Sequence, residues 1–169
     1  INPLELYFKC ENGSGYDVAC AFDKGPIEYK STDDEIAYTP VDFKPSFADK
    51  IHFIHLGNKK NSDDAIKEYI SNVKDKKTLV KKISDITEKV EDCTDFNSFE
   101  ELITEHENVR ASHTRFTKIK DAQFSDFKGA IKSCGAWGGD FILATGEEDY
   151  VKNYFNGKNL KTIVSYKDM

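Results

Sequence analysis

The sequence lacks the features that mark membrane, secreted and nucleic-acid-binding chains. Its 169 residues hold no apolar run near the roughly 20 residues that a membrane span requires. The opening INPLELYFKC has neither a basic lead nor a long apolar stretch, so we expect no signal peptide. The net charge of −6 disfavours nucleic acids and anionic membranes as partners, because both require a basic surface.

Cysteine is scarce and scattered, which argues against a disulfide framework and against a zinc site. The four cysteines, Cys10, Cys20, Cys93 and Cys134, form no CxxC pair and have no histidine at zinc-ligand spacing. Reduced thiols in a cytoplasmic protein are the simplest interpretation. We therefore expect a cytoplasmic location and no metal site built from protein ligands. Internal repeats and low-complexity tracts are lacking as well.

Apolar residues recur at helical spacing in much of the chain. Ser62 is a suitable N-cap for one predicted helix, and Ser98 with Glu101 resembles a capping box at the start of another. His106 falls on the apolar face of the latter, where a histidine with satisfied hydrogen bonds at the core boundary is expected. The predicted helices lie near residues 3–9, 62–73, 79–90, 98–106, 125–132 and 150–155.

Short apolar or alternating segments predict strands between these helices. From residue 50 onward the order is strand, several helices, strand, helix and strand. This order predicts an α+β fold with helices on one face of a mainly antiparallel sheet. A change of composition near Pro45 is the only sign of a domain boundary. The predicted strands are residues 27–30, 36–43, 50–56, 141–145 and 161–166.

A first glycine-containing loop, GSGYDVA at residues 13–19, carries candidate chemistry. Two glycines before an acid permit a tight turn and the close approach of a ligand to the backbone. An acid placed there, Asp17, can orient or deprotonate a hydroxyl nucleophile. Taken alone, the motif also fits an ordinary turn.

A second loop, GAWGGD at residues 135–140, lies before a predicted buried strand. Consecutive small residues expose backbone N–H groups, which can form a concave site for an anion such as phosphate. Taken alone, this motif also fits a tight helix-to-strand turn. A looser candidate is the stretch from Gly57 to Ser62, where Lys59 and Lys60 precede a helix N-terminus that attracts anions. A solvated lysine turn is the more ordinary explanation of that stretch.

Together, and in this order, the two glycine loops resemble motifs of the GHMP kinases (galactokinase, homoserine kinase, mevalonate kinase and phosphomevalonate kinase). GSGYDVA resembles the Ser-Gly-x-Asp turn that carries the family's catalytic aspartate. SCGAWGGDFILA resembles the family's last motif, a Ser/Thr-Gly-Ala-Gly-Gly-Gly loop followed by a strand. Its Gly-Gly-Asp ending is most similar to the mevalonate and phosphomevalonate kinase branch. Trp137 stands where glycine is common, which points to a subfamily with its own substrate.

The resemblance implies ATP-dependent phosphoryl transfer to a hydroxyl or phosphate of a small molecule, with Mg²⁺. It implies that residues 1–45 are the end of an N-terminal, ribosomal S5-like kinase domain and that residues 46–169 are a ferredoxin-like C-terminal domain. It also implies a set of site residues. These are Asp17 as the catalytic residue, Ser14, Gly15, Lys59, Ser62 and Asp140 as substrate-binding residues, and Gly135, Ala136, Gly138 and Gly139 as the phosphate loop.

One family motif is missing, the Pro-x-x-x-Gly-Leu-Gly-Ser-Ser loop that binds the ATP phosphates. In the family it precedes the aspartate motif by many residues, whereas only residues 1–12 precede Gly13 here. We therefore expect a C-terminal piece of a longer kinase, inactive alone, with the N-terminal kinase part and a small-molecule substrate as its partners. A non-catalytic ligand- or partner-binding domain is the alternative, and self-association into a homodimer through an exposed apolar patch is a further expectation.

Overall fold

The computed structural model describes residues 2–11, 13–32, 36–57, 62–73, 75–114, 116–135 and 140–169. The side chains of residues 62–65 and 68 are also outside this description. The chain divides into two compact units, Ile1–Lys44 and Pro45–Met169, and each is a small structure of its own. Within the described residues, no helix is both long and apolar enough to cross a membrane.

The first unit consists of two short helices and a hairpin. Helix α1 begins after Asn2, whose Oδ1 accepts a hydrogen bond from Leu4 N at 2.9 Å. Such a cap satisfies one of the free N–H groups of the first turn. Strands β1 and β2 pair antiparallel and complete the unit. The elements are α1 Pro3–Cys10, α2 Tyr16–Asp23, β1 Ile27–Ser31 and β2 Ile36–Pro40.

The second unit contains a four-stranded antiparallel sheet in the order β4-β5-β3-β6. Its two central strands are strongly apolar, which suits strands that are flanked on both edges. The predicted α+β class is confirmed, because antiparallel strands form the sheet and helices surround it. The strands are β3 Ile51–His55, β4 Ile131–Ser133, β5 Phe141–Thr145 and β6 Ile163–Ser165.

Helices account for most of the remaining second unit. Asp75 caps α4, since its Oδ1 accepts from Thr78 N at 3.0 Å. Short 3-10 turns at Ala48–Lys50 and Tyr166–Asp168 flank the sheet. The helices are α3 Ser62–Asn72, α4 Lys76–Glu91, α5 Phe96–Thr114, α6 Ile119–Gln123 and α7 Glu148–Gly157.

The main core lies between the central strands and α7. Val151 and Phe155, one turn apart on α7, are fully buried against Ile54 of β3 and Ile142 of β5. Residues four apart occupy one face of a helix, so a single stripe of α7 covers the sheet. The cluster also contains Ile119, Phe124, Phe127, Ile131 and Ala144.

Two predictions about the helices are wrong. Residues 125–132 form turns that lead into β4, and not a helix. Gly129 has φ 143°, and a Cβ there would lie 2.3 Å from the carbonyl oxygen of Thr145. The backbone at Gly129 and Ala130 passes close to β5, and Thr145 N donates to Ala130 O at 3.1 Å. Strand pairing therefore replaces local helix formation.

The start of α5 also differs from the prediction. The helix begins at Phe96, and Asp95 takes the capping role that was assigned to Ser98. Asp95 Oδ2 accepts a hydrogen bond from Ser98 N at 2.8 Å. Aspartate is as good an N-cap as serine, so the two candidate starts compete closely in the sequence.

Candidate functional site

Asp17 lies in the first turn of α2 and is exposed. The residue before the helix, Gly15, has φ 73°, a left-handed conformation that favours glycine. A Cβ at Gly15 would also lie 2.7 Å from Leu4 Cδ1 and 2.9 Å from Phe8 Cζ of α1. Both the dihedral angle and the close packing therefore require glycine at the turn that places Asp17.

The turn is tied to the hairpin by Tyr29 of β1. The Tyr29 hydroxyl donates to the carbonyl oxygen of Ser14, and the Tyr29 ring meets the edge of Tyr16 at 6.5 Å between centroids. Burial raises the pKa of Tyr29, and the nearby negative charge of Asp17 raises it further. Sequence reasoning gave Tyr29 no role, because only the fold of the first unit brings the hairpin to this turn.

The Asp17 carboxylate lies at the N-terminus of α2. Its Oδ1 accepts from Val18 N at 3.0 Å, and a carboxylate is favoured at a helix N-terminus by the N–H groups and the helix dipole. Such a group can accept or orient a hydroxyl proton.

The second loop is anchored at both of its described ends. Cys134 N donates to Phe141 O at 3.0 Å, and Leu56 N donates to Asp140 O at 2.7 Å. Gly135, which follows β4, adopts φ 65°, a left-handed conformation that favours glycine. Asp140, which is half-buried, is thus held by its backbone carbonyl next to the end of β3.

Four predicted residues of these loops lie outside the described residues: Lys59, Ala136, Gly138 and Gly139. Trp137 lies outside them too. Ser62 begins α3, although its side chain is not described. The predicted roles of all these residues stay predictions.

The second unit brings together the strand ends that border two of the candidate loops. His55, the last residue of β3, pairs in register with Phe141, the first residue of β5, and their rings lie 4.9 Å apart. The last residue of β3 and the first residue of β5 therefore lie side by side. The predicted site residues did not include His55.

The thiol next to the second loop is unreactive. Burial raises the pKa of Cys134, so the thiol remains protonated at neutral pH. Among the described residues, no group of three or more His, Cys, Asp or Glu side chains could hold a metal ion.

By fold, the chain is similar to solved structures of mevalonate kinase. It matches the L. major mevalonate kinase, crystallised in complex with R-mevalonate, with a TM-score of 0.68 and 14% sequence identity, over 92% of this chain and 52% of that chain. A second mevalonate kinase structure matches with a TM-score of 0.57 and 16% identity, over 76% of this chain and 43% of the other. The chain thus spans about half the length of these kinases.

Sequence comparison gives no further relative: no family model matches the chain, and no curated protein matches it either. At 14% and 16% identity, the structural likeness is a statement about fold.

Proposed function

We propose that this chain is the C-terminal part of a GHMP-type kinase that transfers a phosphoryl group from ATP to a hydroxyl or phosphate of a small molecule. The observation that carries the proposal is the fold likeness to mevalonate kinase over 92% of the chain. The Ser14-to-Asp17 turn supports it, because a glycine-dependent turn presents an exposed carboxylate at a helix start. Residues 1–45 would be the end of the N-terminal domain and residues 46–169 a ferredoxin-like C-terminal domain.

In the proposed reaction, this chain positions the acceptor. Asp17 would accept or orient the proton of the attacking hydroxyl group, with Ser14 and Gly15 shaping the turn around it. Phosphoryl transfer depends mainly on positioning and on neutralisation of charge, so one well-placed carboxylate is a sufficient protein base. The mevalonate-type branch is favoured by the Gly-Gly-Asp sequence that ends at Asp140.

The remaining residues would surround the phosphate and the substrate. Backbone N–H groups of the loop containing Gly135, Ala136, Gly138 and Gly139 would bind phosphate oxygens. Asp140 would orient this loop, and Lys59 and Ser62 would meet the substrate where α3 begins. ATP and Mg²⁺ would bind mainly to the N-terminal part of the longer protein, which would be this chain's partner.

The test is an Asp17→Asn variant in the complete protein, assayed for ATP-dependent phosphorylation of mevalonate, phosphomevalonate, homoserine and galactose. Loss of a general base lowers kcat by roughly 10²–10⁴-fold. We expect a loss in this range with KM little changed, measured by coupled ADP release. Asp23→Asn, at the other end of the same helix, is the matched control and should retain activity. An Asp17→Asn enzyme with parental kcat would exclude the proposed role.

A non-catalytic binding domain is the second candidate, and Trp137 favours it. A large ring replaces glycine in the loop that would approach the phosphate, and such a ring would narrow the space for the phosphate. In that case the complete protein binds one of the four acceptors, detected by calorimetry, without any release of ADP. Asp17→Asn then has no ADP release to lower, because the parent protein releases none.

A further inference from the structure

Helix α2, which carries Asp17, begins without a side-chain cap. An N-cap side chain normally fixes the start of a helix, because its oxygen accepts a hydrogen bond from an N–H group of the first turn. The N-cap residue here is Gly15, which has no side chain to do so. Asp17 engages one of these N–H groups itself, since its Oδ1 accepts from Val18 N at 3.0 Å. The start of α2 therefore depends on support from outside the helix.

The glycine that permits this turn does not fix it. Glycine adopts positive and negative φ angles about equally readily, so φ 73° at Gly15 is one of several accessible conformations. The peptide unit between Ser14 and Gly15 is planar, and its rotation changes the φ angle of Gly15 and the direction of the Ser14 carbonyl together. A contact that holds the Ser14 carbonyl thus selects the conformation of Gly15, and with it the direction in which α2 presents Asp17.

Tyr29 of β1 makes that contact. Its hydroxyl group donates to the carbonyl oxygen of Ser14. Its ring meets the edge of the Tyr16 ring, with centroids 6.5 Å apart and ring planes at 71°. Tyr29 therefore contacts the residues on both sides of Gly15, the glycine at which the turn is made.

The phenol of Tyr29 remains a proton donor at physiological pH. Burial raises its pKa, and the two titratable groups that face it, Asp17 of α2 and Tyr7 of α1, raise it further. A carbonyl oxygen can only accept a hydrogen bond, so the bond to Ser14 requires the neutral phenol. Ionisation of the phenol would break this bond and would place a negative charge beside the carbonyl oxygen.

We propose that Tyr29 is a positioning residue for the Asp17 carboxylate in phosphoryl transfer, an inference that rests on the proposed function. The Tyr29 hydroxyl keeps the Ser14–Gly15 peptide in one orientation, and Asp17 then meets the attacking hydroxyl group from a fixed place. A base acts only within hydrogen-bond reach of the proton that it accepts, so a small rotation of the turn slows the reaction. Tyr29 acts through Asp17 and not on the substrate, so substrate binding does not depend on it.

The first test is Tyr29→Phe in the complete protein, which removes the hydroxyl group and keeps the ring. Activity is measured by coupled ADP release with the acceptor that the parent enzyme phosphorylates. We expect kcat to fall by roughly 5- to 100-fold, between the value of one ordinary hydrogen bond and that of a misplacement by about 1 Å, with KM little changed. Tyr38→Phe is the matched control, because Tyr38 is the cross-strand partner of Tyr29 in the hairpin, and it should retain the parental kcat.

A double variant separates positioning from a general loss of structure. Once Asp17 is replaced by asparagine, the Tyr29 hydroxyl has no carboxylate left to position. Asp17→Asn combined with Tyr29→Phe should therefore have the same kcat as Asp17→Asn alone. A purely structural role of Tyr29 would lower kcat by the same factor in both backgrounds.

Replacement of Tyr29 by a difluorinated tyrosine tests the donated proton itself. This residue keeps the ring and the hydroxyl group, but its phenol ionises at a lower pH than that of tyrosine, and its fluorine NMR signal reports that ionisation in the same protein. Below the pKa of the fluorinated phenol, kcat should equal the parental value. Above it, kcat relative to the parent should fall to that of Tyr29→Phe, because a phenolate cannot donate to Ser14 O. If Tyr29→Phe fails to fold, this comparison decides the question.

The outcomes distinguish this inference from the proposed function. If Asp17→Asn loses activity while Tyr29→Phe keeps the parental kcat, the positioning role is overturned and the proposed function stands. Equal losses from Tyr29→Phe in the two backgrounds have the same meaning. A complete protein that releases no ADP, or whose Asp17→Asn variant keeps the parental kcat, overturns both.

Discussion

At the scale of single residues, Gly15 determines how Asp17 is presented. The left-handed backbone at φ 73° and the contacts with Leu4 and Phe8 leave no space for a side chain. The hydroxyl of Tyr29 then holds the preceding Ser14 carbonyl. The position of the candidate catalytic carboxylate thus depends on one glycine and one tyrosine.

Gly15→Ala should therefore destabilise the first unit. A left-handed conformation costs a residue with a side chain roughly 1–2 kcal/mol, and displacement of Leu4 adds to this cost. We expect a lower urea midpoint, monitored by near-UV circular dichroism of the tyrosines around the turn. Gly25→Ala is the matched control, because a Cβ at Gly25 meets no atom within 4 Å. Equal midpoints for the two variants would contradict the importance of Gly15.

Buried neutral histidines make stability depend on pH. Burial lowers the pKa of His106 to about 3 and also lowers that of His52. Below the unfolded-state pKa of about 6.5, the unfolded chain binds protons that the folded chain excludes. The stability is therefore fully present above pH 6.5 and is lost as the pH falls toward the folded pKa.

The expected loss from His106 is about 1.4 kcal/mol per pH unit, between roughly pH 6 and pH 5. Urea unfolding at several pH values measures the slope. His106→Phe should reduce this slope by about the amount expected for His106, whereas Thr104→Ala, exposed on the same helix, should leave the slope unchanged. A His106→Phe variant with the parental slope would show that this ring is protonated in the folded state.

At the scale of elements, α5 depends on a cap that competes with a neighbour. Asp95 and Ser98 are both good N-cap residues, and the helix begins at the earlier one. The earlier start adds Phe96 to the first turn, and its half-buried ring packs against Phe47 with ring centroids 5.8 Å apart. Tertiary packing thus chooses between two local solutions of similar free energy.

Asp95→Ala should lower the free energy of unfolding of the second unit by about 1 kcal/mol, through loss of the hydrogen bond to Ser98 N. Chemical denaturation followed by far-UV circular dichroism measures the effect. Ser98→Ala, which leaves the observed cap in place, is the control and should cost much less. The reverse order of the two costs would restore Ser98 as the cap.

At the scale of the whole molecule, the chain consists of two units of unequal size. The larger unit contains the core in which α7 covers the central strands. The chain matches about half of the L. major mevalonate kinase structure. A kinase activity is accordingly a proposal about the longer protein, whereas the core is a property of this chain.

The stability of the larger unit should depend strongly on Phe155. This side chain is fully buried, and its ring contacts Phe124 and Phe127 at 5.3 Å between centroids. Phe155→Ala should lower the free energy of unfolding by about 3–5 kcal/mol, because a cavity remains in the core. Asn156→Ala, exposed at the next position of α7, should change it by about 0.5 kcal/mol or less. Calorimetry measures both, and similar melting temperatures would contradict this description of the core.

The sequence by itself determined the features that depend on near neighbours. Helical spacing predicted α1, α3, α4 and α7, apolar segments predicted β3 and β5, and the turn before Asp17 was visible from its glycines. These features arise from contacts within about one helical turn or one short strand, so a local pattern suffices.

Tertiary structure decided the features that depend on distant partners. Residues 131–133 became β4, and not a helix, because β5 offers backbone partners that no local pattern reveals. Tyr29 reached the Ser14 turn only through the hairpin, and the Nδ1 atom of His106, expected to be satisfied, is buried without a hydrogen-bond partner among the described residues. Pairing and burial bring together residues that are far apart in the chain, and their free energies are therefore absent from any local reading of the sequence.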